Sequence, residues 1–371
     1  MKNAKFLLYP FSLFYYLVVS FRNFMFDAGI LRSQKFPIWT ISVGNLSVGG
    51  TGKSPHIEYL IRLLGSLGTY KNLHIKAENT AILSRGYGRS TTGFILANEN
   101  STAQEIGDEP MQMLMKFKDV HVAVDEKRAH GIKKLIDMHK DINLVLLDDS
   151  YQHRYVKPSL SILLTNFYKP FYEDAMMPRG TLREPVGGYR RADIIIVTRT
   201  PHDILDVERK MIMKKIAPFP HQKVFFSSVV YQDMTPVYDI DLLDRKVTKE
   251  TSIVLLTGIA NATDFRKHLQ KNAKEVVHIS YPDHHWYSMV EIMKMVDIYN
   301  NISNPDKIIV TTEKDAARLH QASIREQLEK LPVFYTPIQV KVKDEAAFEA
   351  DIVRQLGSYQ LYNPIQKIKQ N

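Results

Sequence analysis

The sequence predicts an α/β protein: a mostly parallel sheet doubly wound with helices, a second, smaller α/β domain after it, and an amphipathic helix at the amino end. Three observations carry the prediction. Short β-branched and aliphatic runs alternate with stretches whose apolar residues recur at three-and-four spacing, the signature of strands alternating with helices. The alternation pauses in a mixed, proline-containing stretch at 231–250 and resumes at Ile253. Residues 6–20 are almost entirely apolar. The expected domains are 1–34 for the amino-terminal helix, 35–230 for the main domain, 231–250 for a linker and 251–371 for the second domain.

A chain of 371 residues suits about two domains. Its 44% apolar and 24% charged residues are those of a chain that folds around a packed core. With 49 basic and 40 acidic residues the net charge is +9, which calls for an anionic partner: nucleotide, nucleic acid or phospholipid surface. Cysteine is absent, which excludes disulfides and thiolate metal sites and fits a reducing compartment.

In the amino-terminal run, Pro10 and Arg22 limit the uninterrupted apolar stretch to about 15 residues, short of the ~20 that span a bilayer. Lys2 and Lys5 before it and Val18-Val19-Ser20 at its end also fit a signal peptide, and a buried core helix is a third reading. Its crowd of tyrosine and phenylalanine favours a helix lying in the membrane interface.

The main domain is organised around residues 42–54. A buried strand at Ile38–Ile41 leads into Ser42-Val43-Gly44-Asn45-Leu46-Ser47-Val48-Gly49-Gly50-Thr51-Gly52-Lys53-Ser54, and Ile57, Leu60, Ile61, Leu64 and Leu67 then mark one face of a helix. Strand, glycine loop and helix form the context of a phosphate-binding P-loop, so the fold is expected to be P-loop NTPase-like. Glycines let successive amides face an anion, and the helix start adds unpaired donors and the positive end of its dipole. Asn45, Ser47, Val48, Gly49, Gly50, Thr51, Gly52, Lys53 and Ser54 are the candidate nucleotide-binding residues. Lys53 would reach the β- and γ-phosphates, and the Ser54 hydroxyl would ligate Mg²⁺. The strict pattern has glycine where Ser47 stands; Gly49 and Gly50 supply the flexibility in this variant loop.

Further along, the strand Thr80–Ser84 ends in Arg85-Gly86-Tyr87-Gly88-Arg89, placed where open α/β sheets bind ligands. Arginine grips phosphate with a fork of donors, though a solvated turn fits as well. Asp108 and Glu109 open a helix, either as N-terminal capping charges or as a general base and a metal partner. Val120–Val124 is a strand, and Arg128 follows it on a helical stretch. Ile142–Asp149 is an apolar strand ending in Asp148-Asp149, 95 residues past Lys53, which is the Walker-B arrangement for holding Mg²⁺ or its water. The polar cluster Ser150-Tyr151-Gln152-His153-Arg154 follows at once. Strands at Leu160–Leu164, Ile194–Val197 and Val224–Val229 complete about seven in the main domain. In the second domain, Ile253–Gly258, Glu275–Ser280 and Lys307–Thr312 repeat the strand pattern. Its loop Tyr281-Pro282-Asp283-His284-His285-Trp286 offers either a base with an orienting carboxylate or a metal pair.

The run of motifs resembles the tetraacyldisaccharide 4'-kinase family of lipid A biosynthesis. Its marks stand in order as SVGNLSVGGTGKSP, LSRGYGR, IGDEP, LLDDSYQH, PRGTLREP, TGIAN, PDHHW and VTTEKDA, over residues 42–316. Ser54 occupies a position that is commonly threonine and keeps the hydroxyl, whereas Ser150 stands where glycine is usual, which bears on that turn's conformation.

The resemblance implies transfer of the ATP γ-phosphate to the 4'-hydroxyl of a tetraacylated glucosamine disaccharide 1-phosphate, giving lipid IVA, at the cytosolic face of the bacterial inner membrane. It implies ATP as co-substrate, Mg²⁺ held by Ser54 with Asp148 or Glu109, a peripheral, monotopic membrane attachment, and neither nucleic acid nor an obligate protein partner. Arg85, Arg128, Gln152, His153 and Arg183 become candidates for the acceptor's sugar and phosphate. Lys53, Asp108, Asp149, Asp283 and His284 become the catalytic candidates, with Asp108 taking the hydroxyl proton and His284 tuning it. The rival reading is a P-loop GTPase or ATPase switch at the membrane. Thr312-Glu313-Lys314-Asp315 resembles a guanine-reading motif only superficially, since its spacing is wrong.

Overall fold

The computed structural model describes residues 7–67, 75–238, 247–283 and 285–360. Two compact units divide the chain: one holds the residues up to Val229 together with those from Val340 onward, the other Val230–Gln339.

In the first unit the strands are β1 Trp39–Asn45, β2 Thr80–Ser84, β3 Ile95–Leu96, β4 His121–Val124, β5 Leu144–Asp148, β6 Leu160–Asn166, β7 Ile194–Thr198, β8 Lys223–Tyr231 and, from near the end of the chain, β14 Ile338–Val342. Their order in the sheet is β14-β8-β7-β6-β1-β5-β2-β4-β3. From β8 across to β4 neighbouring strands are parallel, and the short β3 is antiparallel to β4. β1 is buried along its whole length, as a central strand flanked by β5 and β6 must be.

One face of this sheet, with Ile41, Val43, Leu144, Leu146 and Ile162, packs against Ile57, Leu60 and Leu64 of the helix Lys53–Leu67. On the opposite face, Val145 and Leu147 meet Ile132 and Leu135 of the helix Arg128–Met138, while Leu163 and Ile195 meet Leu46, Tyr151 and Leu182.

The second unit carries its own sheet: β9 Thr235–Pro236, β10 Ser252–Thr257, β11 Glu275–Ser280, β12 Lys307–Thr312 and β13 Val333–Thr336, ordered β11-β10-β12-β13-β9. All pairs are parallel except β9 with β13.

Two expected boundaries need correction. The second unit ends at Gln339 and does not run to 371, because the last described helix, Glu345–Gln360, buries Phe348, Ile352 and Leu356 in the core of the first unit. The Trp39 indole donates to Leu356 O at 3.1 Å, fastening that helix beside β1. Nor is 231–250 a plain linker: the second unit begins at Val230, and Pro236 sits in the edge strand β9, where a missing amide costs no ladder bond. Residues 239–246 lie outside the described part.

The amino-terminal helix spans Tyr9–Asp27. Tyr9, Phe11, Leu13, Phe14, Leu17, Val18, Phe21 and Phe24 are exposed, which rules out the buried core helix. Its polar side is tied to the first unit: Tyr15 donates to Arg183 O (2.9 Å), Arg22 to Gln152 O (3.2 Å) and Asn23 to Glu184 (3.3 Å). No helix among the described residues is long and apolar enough to cross a membrane.

Candidate active site

Parallel strands deliver their loops to one edge, and the predicted site residues of the first unit collect at the carboxyl ends of β1, β2 and β5 and at the starts of the helices Lys53–Leu67 and Asp108–Lys116. β1 runs four residues past its expected end, to Asn45. Gly44 is needed there because a Cβ would come within 2.7 Å of the Tyr151 Cβ. Asn45 is consequently buried, with both of its oxygens engaged by the chain and its Nδ2 without a hydrogen-bond partner among the described residues. Its carbonyl accepts from Gln152 (2.8 Å), and its side-chain oxygen accepts from Arg183.

The glycine turn begins only at Leu46. Ser47 bridges Leu182, and the Val48 amide donates to Thr181 O at 2.7 Å, so that amide is not available to an anion. What remains open centres on Gly49 and Gly50, since Thr51 is buried and its amide donates back to Gly49 O (3.1 Å). Gly49 (φ 112°) and Gly52 (φ 87°) take conformations that L side chains rarely adopt, and nothing lies within 4 Å of a Cβ built on Gly49 or Gly50. Thr51 O is held by the Thr198 hydroxyl (2.9 Å). His56, which the sequence reading passed over, donates from Nδ1 to Gly52 O (2.6 Å) while Nε2 meets the Ser227 hydroxyl (2.9 Å). Burial pushes its pKa down to about 4, so the ring is neutral at pH 7 and the turn rests on an uncharged brace. A histidine four residues after Gly52, on an otherwise apolar helix face, was the available signal.

Lys53 and Ser54 open the helix. The Lys53 ammonium lies 3.8 Å from Asp149, which also receives a fork from Arg183 at 2.8 and 3.2 Å. Burial raises the Asp149 carboxyl, but Lys53 and Arg183 outweigh it and hold the group below the ordinary range. Asp149 is the left-handed residue of its turn (φ 43°). The turn therefore asks no glycine of Ser150, whose hydroxyl instead donates to Leu147 O (3.0 Å) and accepts from Ser42 (2.7 Å).

Asp148, the last residue of β5, is buried, and its Oδ1 has no hydrogen-bond partner. Burial, followed by the charges of Glu109 and Asp149, pushes its pKa up to about 7. Asp108 and Glu109 are the first two residues of their helix, half-buried, after Gly107 at φ 96°.

The five acceptor candidates divide by environment. Arg128 is buried and donates to Asp125 O (2.6 Å) and Asp148 O (3.0 Å), a brace under the strand end rather than an open contact. Gln152 donates to Asn45 O and to Glu184, both at 2.8 Å. Glu184, unassigned in the sequence reading although it stands in PRGTLREP, is buried and also holds Arg191 (2.7 Å). Arg183 grips Asp149 and Asn45. Arg85 is exposed after β2, and His153 has its pKa pushed down to about 4 by burial and then by Arg128 and Arg85. A cavity of about 840 Å³ is lined by Arg128 and His153, by the further cations Arg32, Lys35, Arg154, Lys157 and Arg191, and by the carboxylates Asp27 and Asp193.

Asp283 belongs to the second unit, exposed and 3.8 Å from Lys314. His284 lies outside the described residues. Among the described residues no cluster of three His, Asp or Glu side chains is placed to hold a metal.

An open glycine turn with a lysine at the head of the next helix, at the carboxyl edge of a parallel sheet, is the working end of an α/β nucleotide enzyme. Comparison with known proteins agrees. The family model for tetraacyldisaccharide-1-P 4'-kinase matches residues 4–357. The tetraacyldisaccharide 4'-kinase of Bacteroides thetaiotaomicron is 42% identical over 346 residues, 90% of this chain and 88% of that protein. That of Flavobacterium psychrophilum is 42% identical over 355 residues, 95% and 96% of the two chains. Among solved structures, LpxK from Aquifex aeolicus in complex with ATP aligns with a TM-score of 0.72 and 29% identity, over 95% of this chain and 99% of that one. The chain belongs to the tetraacyldisaccharide-1-P 4'-kinase family and is a kinase.

Proposed function

We propose that the chain transfers the γ-phosphate of ATP to the 4'-hydroxyl of a tetraacylated glucosamine disaccharide 1-phosphate, yielding lipid IVA in lipid A synthesis. The observation that carries the reading is the open turn Gly49–Gly52 beside Lys53, whose ammonium rests 3.8 Å from the Asp149 carboxylate. The turn acts as a P-loop. The amides of its glycines and the start of the helix Lys53–Leu67 take the phosphates, and Lys53 moves from Asp149 to a β/γ oxygen. Asp149 and Arg183 keep that ammonium aimed until nucleotide arrives.

The residues present fit Mg²⁺. A buried carboxylate with an orphan oxygen and a raised pKa is relieved by a cation, and Mg²⁺ takes only one or two protein carboxylates, completing its shell with water and phosphate. Ser54, Asp148 and Glu109 would hold it, and when bound it supplies charge neutralisation on the β/γ oxygens.

Asp108 takes the proton of the attacking hydroxyl. Arg85 and His153 meet the acceptor's sugar and phosphate, while Arg128, Gln152 and Arg183 hold the surface they stand on. The cation-lined cavity suits an anionic sugar. The exposed aromatic face of Tyr9–Asp27, with its polar side anchored to the first unit, supports attachment in the interface of the inner membrane's cytosolic leaflet.

The position of transfer is tested with the acceptor and its 4'-deoxy analogue in mixed micelles with γ-labelled ATP. Label entering the first and not the second is the expected result; equal labelling of both would overturn the assignment of the 4'-hydroxyl.

A further inference from the structure

Two carbonyls of the turn before Lys53 are held by side chains that the chemistry above does not use. Thr51 O accepts from the hydroxyl of Thr198 (2.9 Å), a buried residue at the end of β7. Gly52 O accepts twice from one residue, from the His56 amide (3.2 Å) and from His56 Nδ1 (2.6 Å). A carbonyl can only accept, so the ring proton sits on Nδ1, and Nε2 of the neutral ring accepts from the Ser227 hydroxyl of β8 (2.9 Å). His56 and Ser227 are both buried, so water does not compete for either bond.

Holding these two oxygens decides where the next amides point. In a trans peptide the C=O and the following N–H lie antiparallel in one plane. With Thr51 O turned onto β7 and Gly52 O turned onto His56, the amides of Gly52 and Lys53 face the opposite way, and neither donates to a described residue. Lys53 is the first residue of its helix, where an amide has no intrahelical acceptor. Two successive amides aimed outward at a helix start form a concavity for an anion. Gly52, at φ 87°, permits this backbone but does not enforce it, because glycine is as free to leave the conformation as to adopt it. The side-chain bonds to the two carbonyls supply the enforcement.

We propose that His56, oriented by Ser227, is a positioning residue for nucleotide binding: with Thr198 it pins the carbonyls of Thr51 and Gly52 and so aims the Gly52 and Lys53 amides at the phosphates of ATP. The role rests on the P-loop reading of the turn given above. Releasing Gly52 O lets the two amides swing off the anion, and the loss falls on ATP rather than on the lipid acceptor.

The test measures ATP affinity by calorimetry with Mg²⁺ and no lipid, KM for each substrate in micelles, and Tm. The full chain carries His56→Leu, His56→Asn, Thr198→Val, Gly50→Ala or Lys53→Ala. His56→Leu keeps apolar bulk and removes both ring bonds; it should weaken ATP binding by about 10-fold or more, the worth of one hydrogen bond to a charged group, with KM for the lipid within about twofold. His56→Asn puts an amide donor where Nδ1 stood and should bind ATP within about threefold of wild type. Nitrogen-15 spectra of histidine-labelled protein, with His56 assigned by its loss in His56→Asn, should show the proton on Nδ1; a ring protonated on Nε2 alone would overturn the arrangement. If Gly50→Ala and Lys53→Ala both bind ATP like wild type, the turn is no phosphate site and the reading beneath the proposal fails. If those two bind weakly while His56→Leu binds like wild type, the positioning role fails. Equal losses of affinity in His56→Leu and His56→Asn would make the residue a packing element and overturn the proposal too. Should His56→Leu not fold, Thr198→Val decides, with wild-type ATP affinity counting against the proposal.

Discussion

The molecule contains two strand-to-helix turns with glycine at their heart, one after β1 and one after β10, and they are finished in opposite ways. In the first unit, Gly49 and Gly50 face open space and the nearby carboxylate Asp148 keeps an oxygen without a partner. In the second, the Gly258 amide is bound by the internal carboxylate of Asp315, and a Cβ there would strike Tyr287 and Asp315. The second turn carries its own anion; the first leaves Gly49 and Gly50 facing open space, as the proposed phosphate-binding role requires. The difference teaches that a glycine after a parallel strand marks a phosphate site only when the amides it frees are left unspent.

The largest expected effect tests the open turn. Lys53→Ala removes the one lysine at that turn and should lower kcat/KM by about a thousand-fold, measured by label transfer, while leaving Tm of the nucleotide-free protein nearly unchanged. Next in size is the base: Asp108→Asn should lower kcat by about 100-fold or more with KM for ATP little altered. A rise in KM at constant kcat would remove Asp108 from the chemistry.

Glycine substitutions sharpen the contrast directly. Gly258→Ala overpacks a filled site and should cost about 1–3 kcal/mol, read as a fall in Tm. Gly50→Ala meets nothing within 4 Å, so stability should hold within about 0.5 kcal/mol while ATP binds less tightly, because the backbone must approach the phosphates. Reversed outcomes would break the comparison.

A further expected effect is a pH dependence. The Asp148 carboxyl rises from 3.8 to about 7 on folding, so between those values the native state holds the extra proton. Stability from this group is full below about 4 and is lost as pH rises toward 7. Asp148→Asn should therefore raise Tm of the ligand-free protein at pH 8 and flatten its decline between pH 4 and 7, while turnover falls. His56 runs the other way: its folded pKa is lowered to about 4, so its contribution is present above 6.5 and lost as pH falls toward 4.

Much of this was legible beforehand because it is local. β-branched runs and three-and-four spacing located the central strands of both sheets but not β3, β9, β13 and β14, and Lys53, Asp148 and Asp149 stand where strand ends put them. What periodicity does not encode is which sheet an element joins. Val340, Val342, Phe348, Ile352 and Leu356 fall within the bounds expected for the second domain, yet they complete the core of the first. Residues near the phosphate turn were misread for a related reason. Val48 has the place of a ligand contact, but its amide is committed to Thr181 O, and the oxygens of Asn45 and the terminal nitrogens of Arg128 are likewise engaged by the chain itself.

The most direct test of the whole account is a single assay: γ-labelled ATP and Mg²⁺ with the wild-type chain and Lys53→Ala, each with and without the tetraacyl disaccharide 1-phosphate in micelles. Label in the lipid with wild type alone is the predicted result. Label released only as free phosphate, at the same rate whether or not lipid is present, would contradict a kinase and point to a hydrolytic switch.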